Sequence, residues 1–206
     1  MQHIQLISKR GLMAIILPFF LLPVAQAQKD TSTHCPQWLV SVFNTATLLP
    51  GHIFSKPVHP GITLGAEFRY NHHPRNQWLQ TAKLGFSYHQ YAQSVVQLYS
   101  EFGYRRDIWK GIGAELRIGA GYLHAFPATE IFKFKDGQYV KKTKLGRPQF
   151  MGGAALALGY QLPGNFWVKR IYVEDQFYLQ MPFVKNYVPL LPNSVLHVGV
   201  GISLKS

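Results

Sequence analysis

The sequence predicts an all-β fold in which eight antiparallel strands close into an up-and-down barrel. Two observations lead to this fold. Eight stretches of alternating polarity recur along the chain, and clusters of Pro, Gly, Asn and Asp separate them. A length of 206 residues fits one domain, and 47% hydrophobic against 15% charged residues excludes a disordered chain.

The N-terminus has the three parts of an export signal. Lys9 and Arg10 precede an apolar stretch over 11–24, and Ala25-Gln26-Ala27 forms a small-x-small cleavage site. The apolar stretch is shorter than the ~20 residues that a membrane-spanning helix needs. We therefore expect a signal peptide at 1–27 and a barrel domain at 28–206, with an uncleaved anchor as the alternative. The single cysteine excludes an intrachain disulfide.

The eight alternating stretches are longer than ordinary globular strands, which average about five or six residues. A tilted strand that crosses a bilayer needs ~9–11 residues, and each stretch provides them. The predicted strands span roughly 38–47, 61–71, 78–90, 94–106, 111–126, 147–161, 167–182 and 194–204.

Polarity along each stretch indicates which side faces lipid. In the second stretch Leu64 and Phe68 share one face, while Glu67 and Arg69 share the other with Gly65. One face is large and apolar throughout, whereas the other is polar or glycine, as in the narrow interior of a small transmembrane barrel. A soluble barrel would place its apolar face inward. The pattern therefore predicts lipid outside and a polar interior.

Connection lengths and aromatic residues agree with this placement. Three connections on one end are long, about 48–60, 127–146 and 183–193, and those on the other end are short. Outer-membrane barrels have this asymmetry, with short periplasmic turns and longer external loops. Tryptophan and tyrosine residues concentrate near both ends of the strands, as expected at membrane interfaces.

With its signal peptide and eight alternating stretches, the chain resembles the small eight-stranded outer-membrane β-barrel proteins of Gram-negative bacteria. The resemblance covers essentially the whole mature chain and lies in architecture. It implies a bacterial outer-membrane location and partners that are outer-membrane lipid and lipopolysaccharide. We expect a monomer, with any extracellular ligand left open. Nucleic acid is not expected, because no binding motif is present and export places the chain in another compartment.

Charged residues on the inward face should pair, because an isolated charge in a narrow barrel is costly. We predict a structural ion-pair network that fills the interior, rather than a proton path or pore. Its members are Glu67, Arg69, Lys83, Glu101, Arg105, Glu115, Arg117 and Glu174. Strict alternation would put Asp175 on the lipid face, so we also predict a β-bulge between Glu174 and Asp175 that turns both side chains inward.

Histidines near the outer rim are weak candidates for catalysis. Ser87 and His89, with His124, could supply a nucleophile and a base, as in small barrels that modify lipid A. The Ser-Tyr-His order reverses a deacylase-like His-x-Ser motif, and no acidic partner is close in sequence. Ordinary hydrogen bonding of rim histidines explains them better. Metal-ligand spacing is absent, so we expect no metal and no cofactor.

The longest external connection contains a basic hairpin. Asp136-Gly137 is a favoured two-residue hairpin turn between two short alternating runs. Its cations could contact lipopolysaccharide phosphates or another polyanion. They are Lys133, Lys135, Lys141, Lys142, Lys144 and Arg147. We also expect the proline-rich stretches 49–61 and 188–193 to meet over the barrel mouth.

Three functions follow from these observations. The first is a structural or surface-interaction protein of the outer membrane, without enzymatic activity. The second is a lipid-modifying enzyme of the outer membrane, deacylase-like, which uses rim histidine and serine. The third is a soluble exported barrel that binds a hydrophobic ligand.

Overall fold

The computed structural model describes residues 36–47, 58–71, 73, 75–89, 93–128, 132–135, 137–141, 146–164, 167–183 and 189–203. Eight of its strands form a closed antiparallel barrel, and two shorter strands form a separate hairpin. The barrel strands are β1 (Gln37–Ala46), β2 (Pro60–Arg69), β3 (Asn76–Ser87), β4 (Gln93–Trp109), β5 (Ile112–Pro127), β8 (Arg147–Gln161), β9 (Val168–Met181) and β10 (Leu191–Ile202). The hairpin consists of β6 (Phe132–Lys135) and β7 (Gln138–Lys141).

The barrel is closed by pairing between the first and last strands. β1 pairs with β10 over nine residue pairs, from Trp38 opposite Ile202 to Ala46 opposite Ser194. Each residue of a strand is paired with a residue of the next strand. When these pairs are followed once around the barrel from Gln37, the path returns to β1 just beyond Ala46, at the other end of the strand. Such a displacement means that the strands are tilted against the barrel axis. The predicted fold class is confirmed.

The two ends of the barrel differ in their connections. We call the end at which β1 begins and β10 ends the turn end, and the opposite one the loop end. At the turn end, β4 and β5 are joined by Lys110 and Gly111 alone, with φ angles of 42° and 89°. Two consecutive positive φ angles are typical of the type I′ turn of two-residue hairpins. The strands are therefore tied tightly at this end.

Side chains alternate strictly between the two sides of the wall. In β3, Leu79, Thr81 and Lys83 are buried inside, while Trp78 and Leu84 are exposed outside. A period of two is the geometry of any strand, so the sequence pattern translates directly into an apolar exterior and a polar interior. Among the residues that the structure describes, no helix is long and apolar enough to span a membrane.

Aromatic side chains are exposed on the outer surface near both ends of the barrel. Those near the turn end are Trp38, Tyr70, Trp78, Trp109, Tyr160 and Trp167. Those near the loop end are Tyr88, Tyr122, Phe126 and Phe150. The wall between them exposes mainly aliphatic side chains such as Leu64, Leu98 and Leu156. This is the arrangement of two interfacial bands around an apolar belt.

The predicted β-bulge in β9 is wrong. Glu174 pairs with His197 and Ala157, and Asp175 pairs with Leu196 and Leu156, without any shift of register between them. Asp175 therefore faces outward, as strict alternation requires. It is half-buried, and its Oδ1 lies 3.5 Å from the hydroxyl of Ser194 on β10. The neighbouring serine offers a donor to the carboxylate, so a change of strand register is not needed to give it one.

Several predicted features lie outside the described residues. These are the signal peptide at 1–27 and most of the proline-rich stretches expected to cover the barrel mouth. The predicted hairpin around Gly137 is present as a two-stranded sheet of its own, formed by β6 and β7.

Candidate functional site

The main candidate site is the interior of the barrel, which contains a cluster of buried charges. Its acidic members are Glu67, Glu101, Glu115 and Glu174, and its basic members are Lys83, Arg105, Arg117 and Arg170. Each is at most 3% exposed. Among the described residues, the buried acids and bases are equal in number, so the buried charge sums to zero.

One half of this cluster is centred on Glu174. Lys83 Nζ lies 2.7 Å from Glu174 and 2.8 Å from Glu101, and Arg117 Nη1 lies 2.6 Å from Glu174. Arg117 also binds Glu115 through its other terminal nitrogen. Because each charge has at least two opposite partners, removing one side chain would leave others incompletely compensated.

The other half is centred on Glu67 and Glu115. Arg105 donates to Glu67 at 2.5 Å and also binds Glu115. Arg170 lies against the same two carboxylates, in contact with Glu115 and 3.6 Å from Glu67. Arg69, at the turn end, approaches Glu67 at 3.2 Å with 40% of its side chain exposed. The two halves share Glu115, so the ion pairs form one continuous network.

Glycines on the inward face make room for the arginines. A Cβ atom at Gly103 would lie 2.6 Å from Arg117 Cγ, and one at Gly159 would lie 2.4 Å from Arg170 Nε. Both distances are far shorter than van der Waals contact. The alternation of glycine with charge in the sequence therefore reflects packing, because Gly103 and Gly159 leave the space that Arg117 and Arg170 occupy.

Above the charges, toward the loop end, the interior becomes amide-rich and apolar. Gln176 Nε2 donates to Glu101 at 2.9 Å, and Gln97 Nε2 lies 2.9 Å from the hydroxyl of Tyr178. A hydrophobic cluster then fills the barrel. It consists of Phe43, Val95, Tyr99, Leu123, Ala125, Met151, Tyr178 and Val195. The interior is thus packed with side chains along the described strands.

The sequence prediction placed seven of the eight buried charges inside and missed Arg170. The alternation in β9 indicates an inward position for Arg170, since Arg170 shares the inward face of this strand with Tyr172 and Glu174. His197 was also missed. It is buried on β10, 3.3 Å from both Ser41 and Gln176.

The structure separates two of the three weak catalytic candidates. Ser87 is buried on the inward face of β3, whereas His124 projects outward from β5. The Nδ1 atom of His124 lies 2.7 Å from the Tyr122 hydroxyl. Ser87 and His124 are therefore separated by the barrel wall. His89 instead stacks on His59, with ring centroids 3.5 Å apart.

The stacked imidazoles lie at the loop end, just outside the strands. Partial burial and the nearby His89 imidazole lower the pKa of His59 below its ordinary value of about 6.5. The neutral form of His59 is therefore favoured. Within the described residues, no three His, Cys, Asp or Glu side chains are grouped so that they could hold a metal ion.

The basic residues of the hairpin are only partly placed. Lys133, Lys135 and Lys141 belong to β6 and β7, but their side chains lie outside the described part, as do Lys142 and Lys144 altogether. Arg147, at the start of β8, is exposed.

Fold and interior together define a class: an eight-stranded β-barrel with an apolar exterior and a charged, filled interior. Solved structures of this kind are similar to the chain at low sequence identity. Neisserial surface protein A matches with a TM-score of 0.45 at 11% identity, over 81% of this chain and 94% of that one. The outer membrane enzyme PagL matches with a TM-score of 0.47 at 11% identity, over 82% and 99%.

A third similar structure is the N-terminal β-barrel domain of Pseudomonas aeruginosa OprF. Its TM-score is 0.42 at 13% identity, over 81% of this chain and 97% of that domain. No model of a protein family matches the sequence, and no curated protein matches it either.

Proposed function

We propose that this chain is an outer-membrane β-barrel protein with a structural or surface-interaction role. The observation that carries the proposal is the combination of a continuous apolar outer wall with a charged interior. Trp109 and Leu156, for example, are 65% and 63% exposed. Apolar surface costs about 25 cal/mol per Å² in water, so a belt of such side chains favours a lipid environment.

The filled interior supports a role other than solute diffusion. The charge network near the turn end and the hydrophobic cluster near the loop end both occupy the path along the barrel axis. Eight strands leave room for little more than side chains. A general pore is therefore disfavoured.

The surface-interaction part of the proposal rests on the basic hairpin. Its lysines belong to the connection between β5 and β8, and Arg147 begins β8; both lie at the loop end, which is the extracellular side in this placement. Lipopolysaccharide phosphates are the nearest anions there, and cations bind them through charge-assisted hydrogen bonds. We therefore assign the hairpin to lipopolysaccharide contact.

The two alternative functions are less well supported. A soluble barrel for a hydrophobic ligand needs an apolar cavity, but the buried charges occupy the interior and the large apolar side chains lie outside. A lipid-modifying enzyme would need Ser87 together with a histidine; the barrel wall separates Ser87 from His124, and His89 stacks on His59.

Reconstitution tests the proposal. The mature chain should fold into phospholipid vesicles, show heat-modifiable mobility on gels, and give no discrete conductance steps in a planar bilayer. A chain that is soluble and folded without detergent or lipid would refute the membrane placement. Large conductance steps would refute the filled interior.

A second measurement addresses the hairpin. Gln substitution of all six basic residues should weaken binding of the vesicle-inserted protein to lipopolysaccharide. The matched control replaces Lys110 and Lys169 at the turn end. Equal binding by the hairpin variant and the unmodified protein would contradict the assigned contact.

A further inference from the structure

The outer wall of β3, β4 and β5 near the turn end contains a groove. Its volume is about 690 Å³. Its lining side chains come from two adjacent rows across the three strands. The lining residues of these rows are Phe102 and Ile118 in one and Trp78, Tyr104 and Leu116 in the other, and Asn76 lines the groove toward the turn end.

Aromatic rings form one wall of the groove and hold one another in place. The Trp78 and Phe102 rings stack with centroids 5.5 Å apart and an angle of 14°, and the Tyr104 ring lies 4.9 Å from Trp78. The Tyr104 hydroxyl donates to Asn76 Oδ1 at 2.9 Å. Leu116 and Ile118 form the facing wall. The arrangement is a preformed apolar surface in which the Tyr104 hydroxyl already has a partner.

The two ends of the groove differ in character. Toward the middle of the wall, the next row is Ala82–Ser100–Ala120, whose side chains are too small to close that end. Toward the turn end, the next outward residue on β4 is Arg106, which pairs with Asn76 on β3 and Ala114 on β5. Arg106 is exposed, as is Arg75 in the adjoining turn. The groove is thus open at one end, where the side chains are small, and cationic at the other.

We propose that this groove binds a phospholipid with a net negative headgroup, from the leaflet at the turn end. One acyl chain lies along Trp78 and Leu116 toward the small-residue row, and the headgroup phosphate lies at Arg106 and Arg75. This inference rests on the proposed membrane placement and goes beyond it by naming a specific lipid site.

Two features of the groove favour an anionic phospholipid: its cationic end and its place in the lipid-facing wall. The groove is part of the lipid-facing wall, so the surrounding leaflet is what covers it. An arginine at a membrane interface extends its guanidinium toward the headgroups and binds phosphate through paired N–H groups. Two other cations that the structure describes at this end are engaged elsewhere: Lys169 Nζ donates to the carbonyl of Gly164 at 3.2 Å, and Lys110 lies over the Trp109 ring at 5.4 Å. Basic pockets on transmembrane walls recognise anionic headgroups in this way.

The test uses the fluorescence of Trp78 in the full mature chain. Phe replaces Trp38, Trp109 and Trp167, so that Trp78 is the remaining tryptophan. The protein is inserted into vesicles that contain brominated phosphatidylglycerol or brominated phosphatidylcholine, and quenching of Trp78 is measured against lipid fraction. We expect the anionic lipid to quench Trp78 at several-fold lower mole fraction than the zwitterionic lipid does.

Two variants test whether the preference for the anionic lipid depends on the cationic end of the groove. Arg106→Gln should remove most of the difference between the two lipids, whereas the control Lys110→Gln should retain it. Equal quenching by both lipids, or an unchanged preference in Arg106→Gln, would overturn the inference. Heat-modifiable mobility is read on the same samples. Inserted protein without lipid preference refutes the site alone, whereas failure to insert refutes the membrane placement and the site with it.

Discussion

The buried position of Glu174 makes a sharp prediction about stability. Its carboxylate contacts Lys83 Nζ at 2.7 Å and Arg117 Nη1 at 2.6 Å, and none of these three side chains is more than 2% exposed. The substitution Glu174→Gln preserves the size of the side chain and removes its charge. The buried interior of the described chain then carries one positive charge more than it can balance.

The expected magnitude follows from the two contacts. At an effective dielectric constant of about 20, charges about 4 Å apart attract by about 4 kcal/mol, so two contacts make about 8 kcal/mol. The lost desolvation cost of the carboxylate offsets a large part of this. Breaking a buried pair typically leaves a net loss of about 3–5 kcal/mol, and we expect the free energy of unfolding to fall by this amount.

The assay is urea unfolding of vesicle-inserted protein, followed by tryptophan fluorescence and by gel mobility. Arg69→Gln is the control, because Arg69 is 40% exposed and its pair with Glu67 resembles a surface salt bridge. Arg69→Gln should lower the free energy of unfolding by less than about 1 kcal/mol. The double variant Lys83→Met with Glu174→Gln should lose less than the sum of the single variants, because it restores a neutral interior. A loss below about 1 kcal/mol for Glu174→Gln would refute the view that the network is dry and tightly coupled.

Two further predictions concern packing and pH. Gly121→Ala should lower the free energy of unfolding in the same urea assay by about 1–3 kcal/mol, because its Cβ would lie 2.4 Å from the carbonyl oxygen of Leu98. Gly152→Ala is the matched control, since the nearest atom is 3.9 Å away, and equal losses in both variants would contradict the packing argument. For His59, a lowered pKa in the folded state means that the unfolded chain binds the proton more readily, so stability should fall as pH drops below about 6.5. His59→Phe should flatten this part of the pH profile in urea unfolding between pH 7.5 and 5, and an unchanged slope would show that the stacked pair is not its source.

The continuous network explains why the interior charges are compatible with a stable barrel. Each buried carboxylate faces at least two cations, and the shared Glu115 joins Arg105, Arg117 and Arg170. An isolated ion pair rarely repays its desolvation, whereas a balanced network leaves no charge without a partner. The interior therefore acts as the polar core of the molecule, while the outer wall carries the large apolar side chains.

The sequence alone determined the architecture, because one physical rule connects the pattern of residues to the fold. Side chains of a strand alternate between two faces. Leu64 and Phe68 therefore lie on the apolar face, and Glu67 lies on the opposite, polar face. Strand number, direction and inward residues follow from repeating this rule along the chain. Even Arg170 could have been assigned inward from its place two and four residues before Tyr172 and Glu174.

Tertiary structure decided what alternation leaves open. Which charges meet depends on the register between strands far apart in sequence, such as the contact of Lys83 with Glu174. The same register brings Ser194 beside Asp175, which makes the predicted bulge unnecessary, and assembles the groove from three separate strands. Register is fixed by the cooperative closure of the whole barrel, and a local sequence pattern contains no information about the partner strand's offset.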